Sequence, residues 1–120
     1  MIYLKIGYVR SNKIEEIEEQ VKSLAKYGVD KMFVDRTKKL HFENSEFSKM
    51  LDFLKPGDEV IIDEFECLYG IGNLFHEILK KLKNENINMK SIGENFNNIL
   101  EIEDYVENGI GKYLIDSDPF

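Results

Sequence analysis

The feature that most constrains this fold is a change of hydrophobic period within the first 35 residues. Residues 2–9 (Ile2 to Val9) are rich in Ile, Tyr, Leu and Val and read as a strand, with Gly7 allowing close packing. Beyond Lys13 the apolar positions fall at helical spacing: Ile14, Ile17, Val21, Leu24 and Ala25. Glu15, Glu16, Glu18 and Glu19 lie toward the positive N-terminus of that helix and Lys22 and Lys26 toward its negative C-terminus. Ser11 or Asn12 is the expected N-cap and Gly28 the stop. A second strand, Lys31–Asp35, follows at once. Strand, helix and strand in so short a span predict a right-handed parallel crossover.

The same alternation continues. Residues 36–45 lack periodicity and read as a loop. Phe47, Met50, Leu51 and Leu54 define a short helix, which Lys55-Pro56-Gly57-Asp58 ends because proline cannot continue it and glycine tolerates a turn. Glu59–Asp63 is a third strand, and Phe75, Ile78, Leu79 and Leu82 mark a third helix. Residues 87–92 form a fourth strand, and Ile99, Ile102, Tyr105 and Val106 a further helix. The predicted fold is a three-layer α/β/α domain around a mainly parallel sheet. Ligands of such sheets gather beyond the carboxyl ends of the strands, so Arg10, Ser11, Asp35, Arg36 and residues 63–70 are expected to converge on one rim.

Composition narrows the function. The 120 residues, 42% hydrophobic, suit a single domain spanning 1–120 with one core. No apolar run approaches the about 18 residues of a membrane span, and no signal-peptide pattern opens the chain, so a cytoplasmic protein without membrane association is expected. The lone Cys67 offers neither an internal disulfide nor a multi-cysteine metal site. The net charge is -7, and Arg10 and Arg36 are the two arginines among sixteen cations, which argues against an autonomous binder of nucleic acid.

Other candidates have bland readings. His41 and His76 lack a ligand cluster and read as solvated or packed; no metal or cofactor is expected. Cys67 sits among acids that would suppress its thiolate, so packing is its expected role. Gly70-Ile71-Gly72 and Gly109-Ile110-Gly111 lack the rest of a phosphate-binding pattern and read as turns. Asp35, Asp63, Glu64 and Glu66 read as a solvated acidic rim.

Taken together, several stretches resemble the N-terminal catalytic domain of serine recombinases, the resolvase and invertase family. They are Ile6-Gly7-Tyr8-Val9-Arg10-Ser11, the helix carrying Gln20 and Leu24, Tyr27-Gly28-Val29-Asp30, Phe33-Val34-Asp35, residues 46–62, Ser91-Ile92-Gly93-Glu94 and Gly109-Ile110-Gly111-Lys112. The resemblance implies a mixed sheet of four to five strands with the last antiparallel. It also implies a serine that attacks a DNA phosphodiester to form a 5'-phosphoserine link, amid arginines that neutralise the transition state.

Residue by residue, the site is incomplete. Arg10 matches the arginine ending the first strand. Strict register places Asn12 at the nucleophile, whereas a one-residue deletion places Ser11 there. Asn44 stands where the family has a loop arginine. Phe65-Glu66-Cys67-Leu68-Tyr69-Gly70 replaces a Leu-Asp-Arg-Leu-Gly-Arg signature, putting Cys67 and Gly70 at two arginine positions and Glu66 beside them. The helix expected to begin at Tyr113-Leu114-Ile115 runs into Asp116-Ser117-Asp118-Pro119-Phe120, and no C-terminal DNA-binding domain is expected.

The resulting expectation is a catalytically inactive serine-recombinase-like domain acting through protein contacts, as regulator, scaffold or product of a decayed mobile element. Its partner would be a second copy or another recombinase-family protein, with DNA bound weakly or indirectly. The first alternative is an active recombinase using Ser11 and Arg10, and the second a small-ligand-binding α/β domain.

Overall fold

The computed structural model describes residues 3–39, 41–72 and 74–108. Its elements are β1 (Lys5–Arg10), α1 (Ile14–Tyr27), β2 (Lys31–Asp35), α2 (Glu46–Phe53), β3 (Glu59–Ile62), α3 (Leu74–Asn84), β4 (Asn88–Ser91) and α4 (Ile99–Asn108), with a 3₁₀ turn at Phe65–Leu68. The strands pair in the order β2-β1-β3-β4, all parallel.

That order, with right-handed crossovers, dictates the layers. The step from β1 to β2 runs one way along the sheet, whereas β2 to β3 and β3 to β4 run the other way. α1 must then cover one face and α2 and α3 the opposite face. The core divides accordingly. Ile17 and Leu24 of α1 pack with Val9 and Ile61. Phe47 and Met50 of α2, Phe75 and Leu79 of α3, and Ile102 and Val106 of α4 pack with Ile6, Tyr8, Val60, Ile62 and Met89. Strand alternation accounts for the division, because neighbours along a strand face opposite layers. Gly7 lets α1 close down on β1, since a Cβ there would come within 2.9 Å of the Leu24 side chain.

Local signals act as expected at the turns. Gly28 adopts φ 100° and its N–H closes α1 onto the carbonyls of Leu24 and Ala25. Asp58 is buried and accepts from the backbone N–H groups of Leu4 and Lys55, both at 2.9 Å, so the turn that ends α2 is tied to the start of β1.

The structure differs from the sequence reading at several points, among them β3, which ends at Ile62 and not Asp63, and β4, which covers Asn88–Ser91 and not 87–92. β1 begins at Lys5 and includes Arg10, because its ladder is set by partners running to Asp35 on β2. The N-cap of α1 is Lys13, which makes no side-chain cap; Ser11 instead accepts from the Lys13 N–H at 3.1 Å in a turn preceding the helix. Antiparallel pairing among the described residues is a single bridge between Ser91 and Phe96. Asn95, at φ 61°, sits in the turn that brings Phe96 back to Ser91. The Gly109-Ile110-Gly111-Lys112 segment and the helix expected from Tyr113 lie outside the described residues. No described helix is long and apolar enough to cross a membrane.

Candidate functional site

The chain leaves β1 toward the α1 face and leaves β3 toward the opposite face. Adjacent parallel strands whose connections diverge in this way open a crevice at their carboxyl ends. A cleft of about 570 Å³ lies there, lined by Arg10 at the end of β1 and Ser11 to Lys13 beyond it, by Glu16, Glu19 and Gln20 from α1, and by Asp63, Glu64, Glu66, Cys67 and Tyr69 from the segment after β3. Lys38 reaches it from the loop after β2.

Arg10 is 5% exposed. Its Nη2 donates to the Tyr69 carbonyl at 2.6 Å, while its buried Nη1 has no hydrogen-bond partner among the described residues. Its peptide is held by Gln20, whose side-chain oxygen accepts from the Arg10 N–H at 3.3 Å and whose amide donates to the Arg10 carbonyl at 3.2 Å. One α1 side chain thereby satisfies both main-chain groups of the last β1 residue. Ser11 is buried at the next position, its N–H donating to the Asp35 carbonyl at 3.2 Å. The Ser11 hydroxyl donates to Glu16 Oε1 at 2.5 Å. Asn12 is exposed and lines the cleft mouth.

The opposite wall is fixed from β4. Glu94 Oε2 accepts from the Phe65 N–H at 3.0 Å, at the start of the 3₁₀ turn, and Glu94 also accepts from the Ser91 hydroxyl. Gly93 donates to the Asp63 carbonyl at 2.6 Å, and a Cβ on it would lie 2.7 Å from the Glu64 side chain and 3.0 Å from that carbonyl. A side chain at this position would press first on the stem of Glu64 and then on the Asp63 carbonyl.

This wall is acidic. The exposed Glu64 carboxyl is held above the ordinary glutamate value by desolvation and by the neighbouring Asp63, Glu94, Glu66 and Glu19. Cys67 is buried, and loss of hydration pushes its thiol far up; Arg10 pulls it down, and Glu94 and Asp63 add to the rise. A thiol so placed is a core side chain and a poor nucleophile.

The expected rim is only partly assembled. Asp35 and Arg36 do not line the cleft, because β2 lies on the far side of β1 from β3. Asp35 is taken up at the N-terminus of α2, where it accepts from the Tyr8 hydroxyl at 2.7 Å and the backbone N–H groups of Glu46 and Phe47 at 2.9 and 3.1 Å. Burial and the hydrogen bond to Asp35 hold the Tyr8 phenol far above its usual range. Arg36 is exposed. Asn44 is exposed at φ 63° in the loop before α2, and Gly70, at φ 83°, follows the cleft wall without lining it. His41 is exposed and His76 half-buried on α3. Among the described residues no group of three or more His, Cys, Asp or Glu side chains is placed to hold a metal ion.

Glu16, Glu19, Gln20 and Glu94 were not among the sequence candidates for the site. In the sequence the first three belong to the polar face of an amphipathic helix. Glu94 lies 29 residues from the Phe65 N–H that it accepts from. Gln20 and Glu94 fall within the stretches that carry the family resemblance, which was the one available signal.

The family model for the resolvase N-terminal domain matches residues 5–112, so the chain belongs to that family. Its fold is accordingly that of a serine recombinase domain. No curated protein matches the chain.

Proposed function

We propose that this domain does not cleave DNA and that it acts through contacts with other proteins, as an accessory or regulatory member of a recombination system. It would work in the cytoplasm as a homodimer or in a hetero-oligomer with another recombinase-family protein, touching DNA weakly or through that partner. The observation that carries this reading is the charge of the cleft. Five carboxylates, those of Glu16, Glu19, Asp63, Glu64 and Glu66, line it against three cations, Arg10, Lys13 and Lys38. Phosphoryl transfer to a serine places growing negative charge on the phosphate oxygens, and each fixed donor lost there costs about 3–4 kcal/mol of transition-state stabilisation. Here Asn44, Cys67 and Gly70 supply no cation at positions where the family has arginines, and Glu66 adds repulsion.

A second reading, an active recombinase using Ser11 and Arg10, draws on one contact. The Ser11 hydroxyl donates to Glu16 at 2.5 Å, the relation of a hydroxyl to a general base. Incubation with a nicked suicide DNA substrate, followed by denaturing electrophoresis, separates the two. No covalent adduct is the expected result. An adduct that disappears in Ser11→Ala would establish the enzyme and overturn the proposal.

A further inference from the structure

Arg36 is one of the chain's two arginines, and the cleft does not use it. It follows β2, which stands at one end of the β2-β1-β3-β4 order and so pairs on one side only among the described residues. The phase of that strand is fixed by its last residue. The Asp35 carbonyl accepts from the Ser11 N–H, so the Asp35 main chain faces β1. Main-chain groups alternate in direction along a strand, so those of Phe33 also face β1, whereas those of Met32 and Val34 face the open edge. Both residues are half-buried, packed against the core that α1 covers. An edge of this kind is a template for a further strand.

The charges along the edge select the strand that fits it. Asp30 and Lys31 precede Phe33, and Asp35 and Arg36 follow it. Antiparallel pairing with a second copy of the same strand, centred on Phe33, sets Lys31 opposite Asp35 and Asp30 opposite Arg36. It also sets Met32 opposite Val34, the two residues whose N–H and C=O groups point outward, as a hydrogen-bonded antiparallel pair requires. Parallel pairing in register would set like charge against like. Local cancellation matters because each copy carries a net charge of -7 and repels the other. An aromatic patch adjoins the centre of this pairing. Phe53 of α2 is 38% exposed beside Phe33, their ring centroids 5.8 Å apart, and Lys31 Nζ lies over the two rings at 5.4 and 5.2 Å. We propose that β2 pairs antiparallel with β2 of a second copy of this chain, joining the two sheets through Met32 and Val34 across a two-fold axis at Phe33. The inference deepens the homodimer reading of the proposed function and rests on it.

Sedimentation equilibrium of the full chain from micromolar to millimolar concentration, with amide hydrogen exchange followed by NMR at both ends of that range, tests the proposal. The expected result is a reversible dimer in which exchange at the Met32 and Val34 amides slows at least tenfold on association. The Phe33 and Asp35 amides, held by β1, should be protected at either concentration. Val34→Pro removes an outward donor that β1 does not use, so it should weaken the dimer at least tenfold. Arg36→Asp and Asp30→Arg, both at exposed side chains, should each weaken it as well. Mixing those two variants should restore a dimer, because each then meets its opposite charge at both ends of the strand. A strict monomer at millimolar concentration would overturn the proposal. So would a dimer whose Met32 and Val34 amides stay fast, or charge variants that fail to recover on mixing. A monomer removes the homodimer reading too, whereas a dimer with fast amides removes the edge pairing alone.

Discussion

Arg10 and Asp35 end neighbouring strands and stand opposite each other in the β1–β2 register. Both are charged residues with almost no exposure, 5% and 8%. Asp35 accepts three hydrogen bonds that join β1, β2 and the start of α2, so its carboxylate is committed to the fold. Arg10 has one of its terminal nitrogens engaged and the other without a hydrogen-bond partner among the described residues. Burial of a charge therefore does not by itself mark a functional group; what distinguishes the two is whether the fold has already answered the charge.

The largest expected effect comes from removing the answered one. Asp35→Ala leaves the Tyr8 hydroxyl and two α2 N–H groups without an acceptor and should lower unfolding free energy by about 4 kcal/mol in urea titrations. A loss below about 1 kcal/mol would erase the contrast. Glu94→Ala should cost about 2 kcal/mol, because the Phe65 N–H and the Ser91 hydroxyl lose their acceptor. Hydrogen exchange should quicken at Phe65 and leave the β1–β2 ladder protected. Arg10→Met should change stability by no more than about 1 kcal/mol, since the lost bond to Tyr69 is offset by removing a buried, half-satisfied cation. A loss equal to that of Asp35→Ala would make Arg10 as structural as its neighbour.

The smallest effect concerns pH. The folded-state value of Glu64 is raised above its ordinary 4.5, so between the two values the folded chain binds more protons than the unfolded one. Its contribution to stability therefore falls as pH rises through that window. Glu64→Gln should flatten this part of the melting profile, with the variant gaining relative to the parent above the window. A gain confined to acid pH would reverse the sign of the argument.

Much of the frame was legible because it is local. The apolar runs ending at Val9 and at Ile62, helical spacing from Ile14 to Leu24, Gly28 as a left-handed stop and the Pro56-Gly57 turn each act within a few residues. The site was legible only in part. Arg10, Ser11 and residues 63–70 were placed on one rim because each ends or follows a strand, and the same reasoning placed Asp35 and Arg36 there too. Strand ends do not reveal strand order, and β2 lies across β1 from the cleft. Ser11 or Asn12 was expected at the helix cap, yet the cap falls at Lys13, and the Ser11 hydroxyl is used in the preceding turn and by Glu16.

By itself the sequence determined the succession of strands and helices, the family, and the scarcity of arginine, since these depend on periodicity, motif and composition. The tertiary structure decided which charges meet. It carried Glu16, Glu19 and Gln20 of α1 to the tip of β1, brought Glu94 to the far wall, and turned Asp35 into a support for α2 while leaving Arg10 Nη1 without a partner among the described residues. Such encounters are set by the order in which strands pair and by the face each crossover takes, which distant parts of the chain fix together.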